Sequence, residues 1–315
     1  MGRRIAYCAD GTWDSSGSDT NVYRISKAIV PIAGEQYRFY DDGVGSDGTP
    51  IEQLIGGAFG EGLLEKIKEG YAAIASVYEA GDELFLFGFS RGAYTVRSLG
   101  GMIAACGLPT KNPDPNLVNK AFDGYRNGDQ RATILGTLGD YGLVKANITM
   151  IGVWDTVGAL GIPAILGAVD ALRYSFLDTQ LSPQVLNAFQ ALSIDERRVE
   201  FPATLWTSPP SPGQTIEQAY FCGVHCDVGG GYPDDAGTGT ALSDIPFSWI
   251  LAKAQGLGLV IDAGVAARYP SPIDKKYAID TKHESWSPRW LFPKSRVIAP
   301  TATLSNSVAG PLEVG

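Results

Sequence analysis

Short, nearly uninterrupted apolar runs recur along the chain at 4–9 (RIAYCA), 36–40 (QYRFY), 83–88 (ELFLFG), 148–154 (ITMIGVW) and 218–224 (QAYFCGV). Runs of this length predict β-strands buried on both faces. A further strand is expected near 199–206 (VEFPATLW). Longer stretches at 21–30, 61–80, 91–106, 184–195 and 243–256 predict helices. The clearest is 61–80, where Leu63, Leu64, Ile67, Tyr71, Ile74 and Tyr78 recur at helical spacing with charges between them. Strands alternating with helices predict an α/β fold, a mostly parallel central sheet with helices on both faces. No repeat or charge block divides the chain, and the Pro-rich stretch 208–213 is too short for a linker, so one domain over 1–315 is expected. Residues 107–147 and 158–182 read as excursions that form a lid or a pocket wall.

Composition narrows the class. Hydrophobic residues make up 44% and charged residues 19% of the 315 positions, the balance of a packed globular protein. A net charge of −9 argues against a nucleic-acid partner. No apolar run approaches the roughly 18–20 residues needed to span a bilayer. The opening MGRRIAYCAD lacks the apolar core of a signal peptide, and four cysteines do not make a disulfide framework, so a cytoplasmic chain with reduced thiols is the default expectation. P-loop and GxGxxG signatures are missing, and no cofactor is expected.

The candidate chemistry starts at Gly88-Phe89-Ser90-Arg91-Gly92, a G-x-S-x-G motif. The pattern is weak alone in a chain with 39 glycines, but here it follows the apolar run Leu84–Phe87 and precedes a helix-like stretch. A strand, tight turn and helix lift a serine above the sheet edge, and the flanking glycines avoid collisions with neighbouring backbone. Ser90 is therefore the candidate nucleophile. Serine needs a base, and the chain has only two histidines. His225 follows the run Tyr220–Val224 at an expected strand C-terminus, where active sites of parallel sheets assemble. His283 lies in a polar stretch and reads as a surface residue. Asp155, just after the run 148–154, is the candidate orienting acid, with helix capping as its bland alternative and Asp227 ranked second as a turn-stabilising residue. Ser90, Asp155 and His225 then occur in the order of α/β-hydrolases. The oxyanion hole would use the N–H of Arg91 plus one from Gly11 or Thr12, with the loop 41–46 as the alternative.

Four blocks, CADGTW (8–13), GFSRGAYTVR (88–97), VWDTVGALG (153–161) and GVHCDVGGGY (223–232), followed by LSDIPFSWIL (242–251), resemble the α/β-hydrolase-like family that includes bacterial type VI secretion phospholipase effectors. The resemblance spans about residues 5–255. It implies a serine hydrolase with Ser90 as nucleophile, Asp155 as acid and His225 as base, and in characterised effectors a phospholipase. Cys226 stands where the family commonly has serine. Those effectors are typically longer, with regions for membrane engagement that 315 residues leave little room for, so ester hydrolysis is the firmer expectation. The expected partners are an ester or lipid substrate and a membrane surface. Type VI export leaves no cleavable signal, so signal-less export stays open beside the cytoplasmic default, and an immunity or secretion partner is not readable.

Other readings compete. Cys222, His225 and Cys226 cluster closely, but zinc sites usually show two separated ligand pairs, and small buried cysteines are the bland reading. A hard cation held by Asp10 and Asp42, with Asp41 and Asp227 near, would suggest phosphoester chemistry. A non-catalytic binding module on a hydrolase scaffold is the remaining alternative. Within the excursions, Leu108, Leu117, Phe122, Leu160, Ile162, Ile165, Leu166 and Phe176 either line an acyl pocket or pack on the core.

Overall fold

The computed structural model describes residues 2–11, 19–43, 57–110, 113–137, 141–157, 181–233, 239–272, 281–288, 290, 292–299 and 302–305. In chain order the elements are β1 (Arg4–Ala9), α1 (Asn21–Ala28), β2 (Gln36–Asp41), α2 (Gly57–Ala75), β3 (Glu83–Phe89), α3 (Ser90–Cys106), α4 (Pro115–Arg126), α5 (Arg131–Gly136), β4 (Ile148–Trp154), β5 (Asn187–Ser193), β6 (Thr215–Phe221), α6 (His225–Gly229), α7 (Asp244–Gly256), α8 (Ala263–Arg268) and β7 (Thr303–Leu304). The strands form a seven-stranded sheet ordered β2-β1-β3-β4-β5-β6-β7. Every pairing in it is parallel.

The apolar runs are continuous because both faces of the sheet are covered. Alternate residues point to opposite sides, as the two-residue strand period requires. Ile5, Tyr7, Leu84 and Leu86 join one core cluster with Leu63, Ile67, Tyr71 and Leu99 from α2 and α3. Ala6, Cys8, Phe85 and Phe87 join the other with Val22, Ile25, Phe247 and Ile250 from α1 and α7. The chain moves from β1 outward to β2, then returns to place β3 on the other side of β1. That reversal makes the C-terminal ends of β1 and β3 the switch point of the strand order, the place where ligands of open α/β sheets bind.

Three expectations are corrected. The predicted helix 184–195 contains strand β5 instead. Its Ala, Leu and Gln favour helix locally, but the segment fills the slot between β4 and β6, pairs on both sides and buries Ala188, Phe189, Ala191 and Leu192. The expected strand 199–206 is irregular, with one isolated bridge between Ala203 and Val157. Pro202 removes a ladder donor there, and the Thr204 carbonyl accepts from the Arg97 guanidinium at 2.6 Å and the Gln190 amide at 3.1 Å. The last predicted strand, 218–224, lies three residues early, at Thr215–Phe221, because Gly223 turns the chain at φ +102.

In the first excursion, Leu108 and Phe122 pack into the core and Leu117 is fully buried; α4 is capped by Asp114, whose side chain accepts from the Leu117 N–H. The second lies outside the described residues apart from Leu181 and Ser182, and so do Leu160, Ile162, Ile165, Leu166 and Phe176.

Candidate active site

Ser90 closes β3 and opens α3 with φ +56, a left-handed conformation that costs a non-glycine residue of order 1–3 kcal/mol. The two flanking glycines make that turn sterically feasible. A Cβ on Gly88 would lie 2.5 Å from the Gly92 carbonyl oxygen, and one on Gly92 would run into the Ala9 and Asp10 carbonyls. The N-terminus of α3 therefore rests directly on the end of β1. Asp155, just beyond β4, also has a positive φ, +39. Its N–H donates to the Ala191 carbonyl at 2.7 Å, and the Val157 N–H donates to the Ser90 carbonyl at 3.3 Å. The two turns are thus tied to one another.

These turns bring the three expected residues together. Ser90 Oγ lies 2.9 Å from His225 Nε2, and His225 Nδ1 lies 2.6 Å from Asp155 Oδ2. Exposure is 5% for Ser90, 3% for His225 and 0% for Asp155. His225 is the first residue of α6, not the end of a strand, yet it stays at the same sheet edge. Its ring packs between Phe89, with centroids 4.5 Å apart, and Phe201, at 5.1 Å. Its backbone N–H donates to Glu196 Oε2 at 3.2 Å. Glu196 is itself buried and held by the Arg198 guanidinium at 3.0 and 2.9 Å and by the Ser285 hydroxyl at 2.9 Å.

The acid is more heavily bonded than local sequence suggests. Asp155 Oδ1 accepts from the Ser193 N–H at 2.9 Å and Arg296 Nη1 at 2.5 Å. Its Oδ2 accepts from the Ser193 hydroxyl at 3.1 Å and Arg296 Nη2 at 3.0 Å, besides His225. Burial alone would push this carboxyl up; Arg296 and His225 outweigh burial and hold it well below the usual carboxylate range. Burial lowers the His225 pKa against the upward pull of Asp155, with Arg198 lowering it further. The site therefore presents a neutral imidazole between a hydroxyl and an ionised carboxylate at neutral pH. In that state the base can accept a proton.

The amides expected to receive an oxyanion are in unequal states. The Arg91 N–H belongs to the first turn of α3, where amides favour developing negative charge. The Gly11 N–H, however, donates to Asp10 Oδ1 at 2.9 Å. Thr12 lies outside the described residues, as do Val44–Ser46 of the alternative loop. The two loops are neighbours: Gly43, at φ +81, sits so close to the Asp10 carbonyl that a Cβ would lie 2.8 Å from it.

The metal reading finds little footing in the donor set. Among the described residues no group of three or more His, Cys, Asp and Glu side chains could hold an ion. Asp10 accepts from Thr20 at 2.5 Å and Tyr40 at 2.8 Å besides Gly11, and burial raises its pKa to about 6. Asp41 accepts from Tyr7 and pairs with Lys66. Asp227 accepts from the Val224 N–H at 2.9 Å and pairs with His283 Nδ1 at 2.6 Å. His283 is consequently not a free surface histidine: its ring stacks on Tyr232 with centroids 3.9 Å apart. Cys222 is half-buried, and burial raises its thiol pKa.

Sequence reasoning missed Ser193, Glu196 and Arg296. Reading 187–193 as a strand would have put Ser193 and Glu196 at the working edge of the sheet. No local signal marked Arg296.

A parallel sheet with a strained serine turn and a buried serine–histidine–aspartate relay at its C-terminal edge defines an α/β fold of the hydrolase type. The chain belongs to the family of type VI secretion phospholipase effectors, Tle1-like, catalytic domain, whose model matches residues 3–253. It is 28% identical over 239 residues to an uncharacterized protein of Saccharomyces cerevisiae, covering 66% of this chain and 33% of that protein. A crystal structure of an uncharacterized Pseudomonas aeruginosa protein shares the fold, with TM-score 0.51 and 17% identity over 85% of this chain and 49% of the other. A Tle1 effector bound to the VgrG spike of the type 6 secretion system superposes at TM-score 0.43 and 18% identity, covering 76% of this chain and 52% of the other. The chain thus spans about a third of the curated relative and about half of each of these structures. Among the described residues no helix is long and apolar enough to cross a membrane.

Proposed function

We propose that the protein is a serine hydrolase of carboxylic esters, acting on lipid or phospholipid esters through an acyl-enzyme. The observation that carries this reading is the continuous buried relay from Ser90 Oγ through His225 to Asp155, at 2.9 and 2.6 Å. Ser90 Oγ attacks the ester carbonyl carbon while His225 Nε2 takes its proton. Asp155 keeps the Nδ1–H tautomer and stabilises the imidazolium. The tetrahedral oxyanion is received by the Arg91 N–H at the start of α3. The second donor in this reading is the N–H of Thr12, or that of Gly11 once it leaves the Asp10 carboxylate. Collapse breaks the bond to the alcohol oxygen, which takes the proton from His225. Water then attacks the acyl carbon and gives one proton to His225; collapse breaks the bond from the acyl carbon to Ser90 Oγ, which takes that proton from His225 as the carboxylic acid leaves.

Membership of the effector family supports phospholipid as substrate and a membrane surface as the place of action. It equally supports export without a cleavable signal.

The test is mass-spectrometric labelling with a fluorophosphonate, beside hydrolysis of short- and long-chain nitrophenyl esters and phosphatidylcholine vesicles. An adduct on Ser90 is expected, with turnover reduced about 10⁴-fold or more in Ser90→Ala. Vesicle hydrolysis supports the phospholipase reading, and activity confined to short esters points to a small-ester carboxylesterase. A folded protein with neither adduct nor turnover overturns the assignment in favour of a binding module.

A further inference from the structure

Arg296 lies outside residues 3–253, the part matched by the family. The described residues around it, 281–288, 290 and 292–299, are fastened over the acid side of the site by successive bonds. Lys282 pairs with Asp195 at 3.1 Å and Glu284 pairs with Arg197. Ser285 donates to Glu196 at 2.9 Å, and Trp290 packs edge-on against Phe201 with centroids 5.6 Å apart. The Lys294 N–H donates to the Arg197 carbonyl at 2.8 Å. Beyond these, the Arg296 guanidinium enters the protein and spans both oxygens of Asp155 at 2.5 and 3.0 Å. It is anchored from behind by the carbonyls of Ser193 and Phe201, each at 2.9 Å.

We propose that Arg296 is a positioning residue of the catalytic relay, delivered by this strap: its planar fork pins the Asp155 carboxylate against His225 and offsets that carboxylate's charge. The inference rests on the reading of Ser90, His225 and Asp155 as the reacting set. A guanidinium matches a carboxylate through two parallel bonds, so it fixes the plane of Asp155 as well as its ionisation. The offset has a consequence one residue away. A carboxylate already bonded to a cation pulls less on a proton at His225, so the imidazole stays neutral, and able to act as base, to lower pH. The charged groups acting on His225 are Asp155 and Glu196, which favour its protonated form, and Arg198, which opposes it; Arg296 acts through the Asp155 carboxylate that it spans.

The experiment uses the full chain with isotope-labelled histidine. With only two histidines, comparison with His283→Gln assigns the resonances. The His225 titration midpoint is followed by NMR in wild type, Arg296→Met and Arg296→Lys, beside the pH dependence of fluorophosphonate labelling at Ser90. In Arg296→Met the midpoint is expected to rise by about one pH unit or more. Labelling should then slow about tenfold below that midpoint. Arg296→Lys keeps the charge but not the fork, so its midpoint should stay near wild type while labelling slows at every pH. An unshifted midpoint in Arg296→Met overturns the charge role. Should that variant not fold, Arg296→Lys decides: wild-type labelling at all pH overturns the pinning role. Failure of the broader reading looks different, because wild type itself would then form no adduct on Ser90 while the His225 titration remained measurable.

Discussion

Under the proposed mechanism, replacing Asp155 with asparagine separates catalysis from stability, because there the carboxylate serves both. Its Oδ1 receives the Ser193 N–H and Arg296 Nη1, and its Oδ2 receives His225 Nδ1, the Ser193 hydroxyl and Arg296 Nη2. Asparagine offers one oxygen and one NH₂, so one side must turn donors toward donors. With the NH₂ in the Oδ1 position it faces the Ser193 N–H and the guanidinium. In the Oδ2 position it faces His225, which must then accept at Nδ1 and carry its proton on Nε2, toward Ser90. The Oδ1 position meets two fixed donors, the Ser193 N–H and Arg296 Nη1, whereas at Oδ2 only Arg296 Nη2 is fixed, because the Ser193 hydroxyl and the His225 ring can both switch to accepting; the second placement therefore prevails. Its tautomer cannot serve as the base, and turnover should fall about 10⁴-fold. Either way the Arg296 cation loses its counter-charge in a site where Asp155 is fully buried. Breaking one partner of a buried pair costs about 3–5 kcal/mol. At roughly 2–4 °C per kcal/mol for a chain of this size or somewhat smaller, Tm should drop on the order of 10 °C. Typical domain stabilities of about 5–15 kcal/mol leave most variants of this kind folded at 25 °C. Thermal unfolding and ester turnover, measured on the same preparation, give the two numbers. An unchanged Tm would refute the buried Arg296–Asp155 pairing, and turnover within tenfold of wild type would refute the relay.

Gly92→Ala should be damaging out of proportion to one methyl group, because its Cβ meets the Ala9 and Asp10 carbonyl oxygens, which are backbone and cannot swing aside. A loss of about 1–3 kcal/mol in urea unfolding, with slowed labelling of Ser90, is expected; wild-type values in both would mean α3 does not rest on β1 as described. Activity should hold to pH values below the ordinary imidazole pKa of about 6.5 before falling, since burial lowers that of His225. Stability has the same sign in two windows. Below about 6.5 the unfolded chain binds a proton at His225 that the native state resists, and below about 4.3 it binds one at Glu196, whose native pKa is down to about 2. Stability should therefore fall as pH drops through both ranges, and a urea midpoint that is flat from pH 7 to 3 would contradict the burial of these groups.

Much of the site was legible because its constraints are local. Gly88 and Gly92 flank Ser90 for a steric reason confined to one turn, and Asp155 follows a strand that the apolar run 148–154 located without error. His225 was one of two candidates, so elimination did most of the work. The same locality misled at 187–193, where Ala, Leu and Gln favour helix but the sheet offered hydrogen-bond partners on both sides. His283 was misread for a related reason: polar neighbours in sequence say nothing about Tyr232 and Asp227 meeting it across the fold.

The sequence by itself determined the parallel α/β architecture, the serine turn and the order of the three relay residues. Apolar periodicity and glycine spacing encode short-range sterics, and these survive in one dimension. Only the tertiary structure decided that Arg296, 141 residues from Asp155, supplies its counter-charge, and that Asp10 holds the Gly11 N–H. An ion pair between distant residues leaves no period and no fixed spacing. It exists because folding removes water from both groups, and each must then find its partner in the protein.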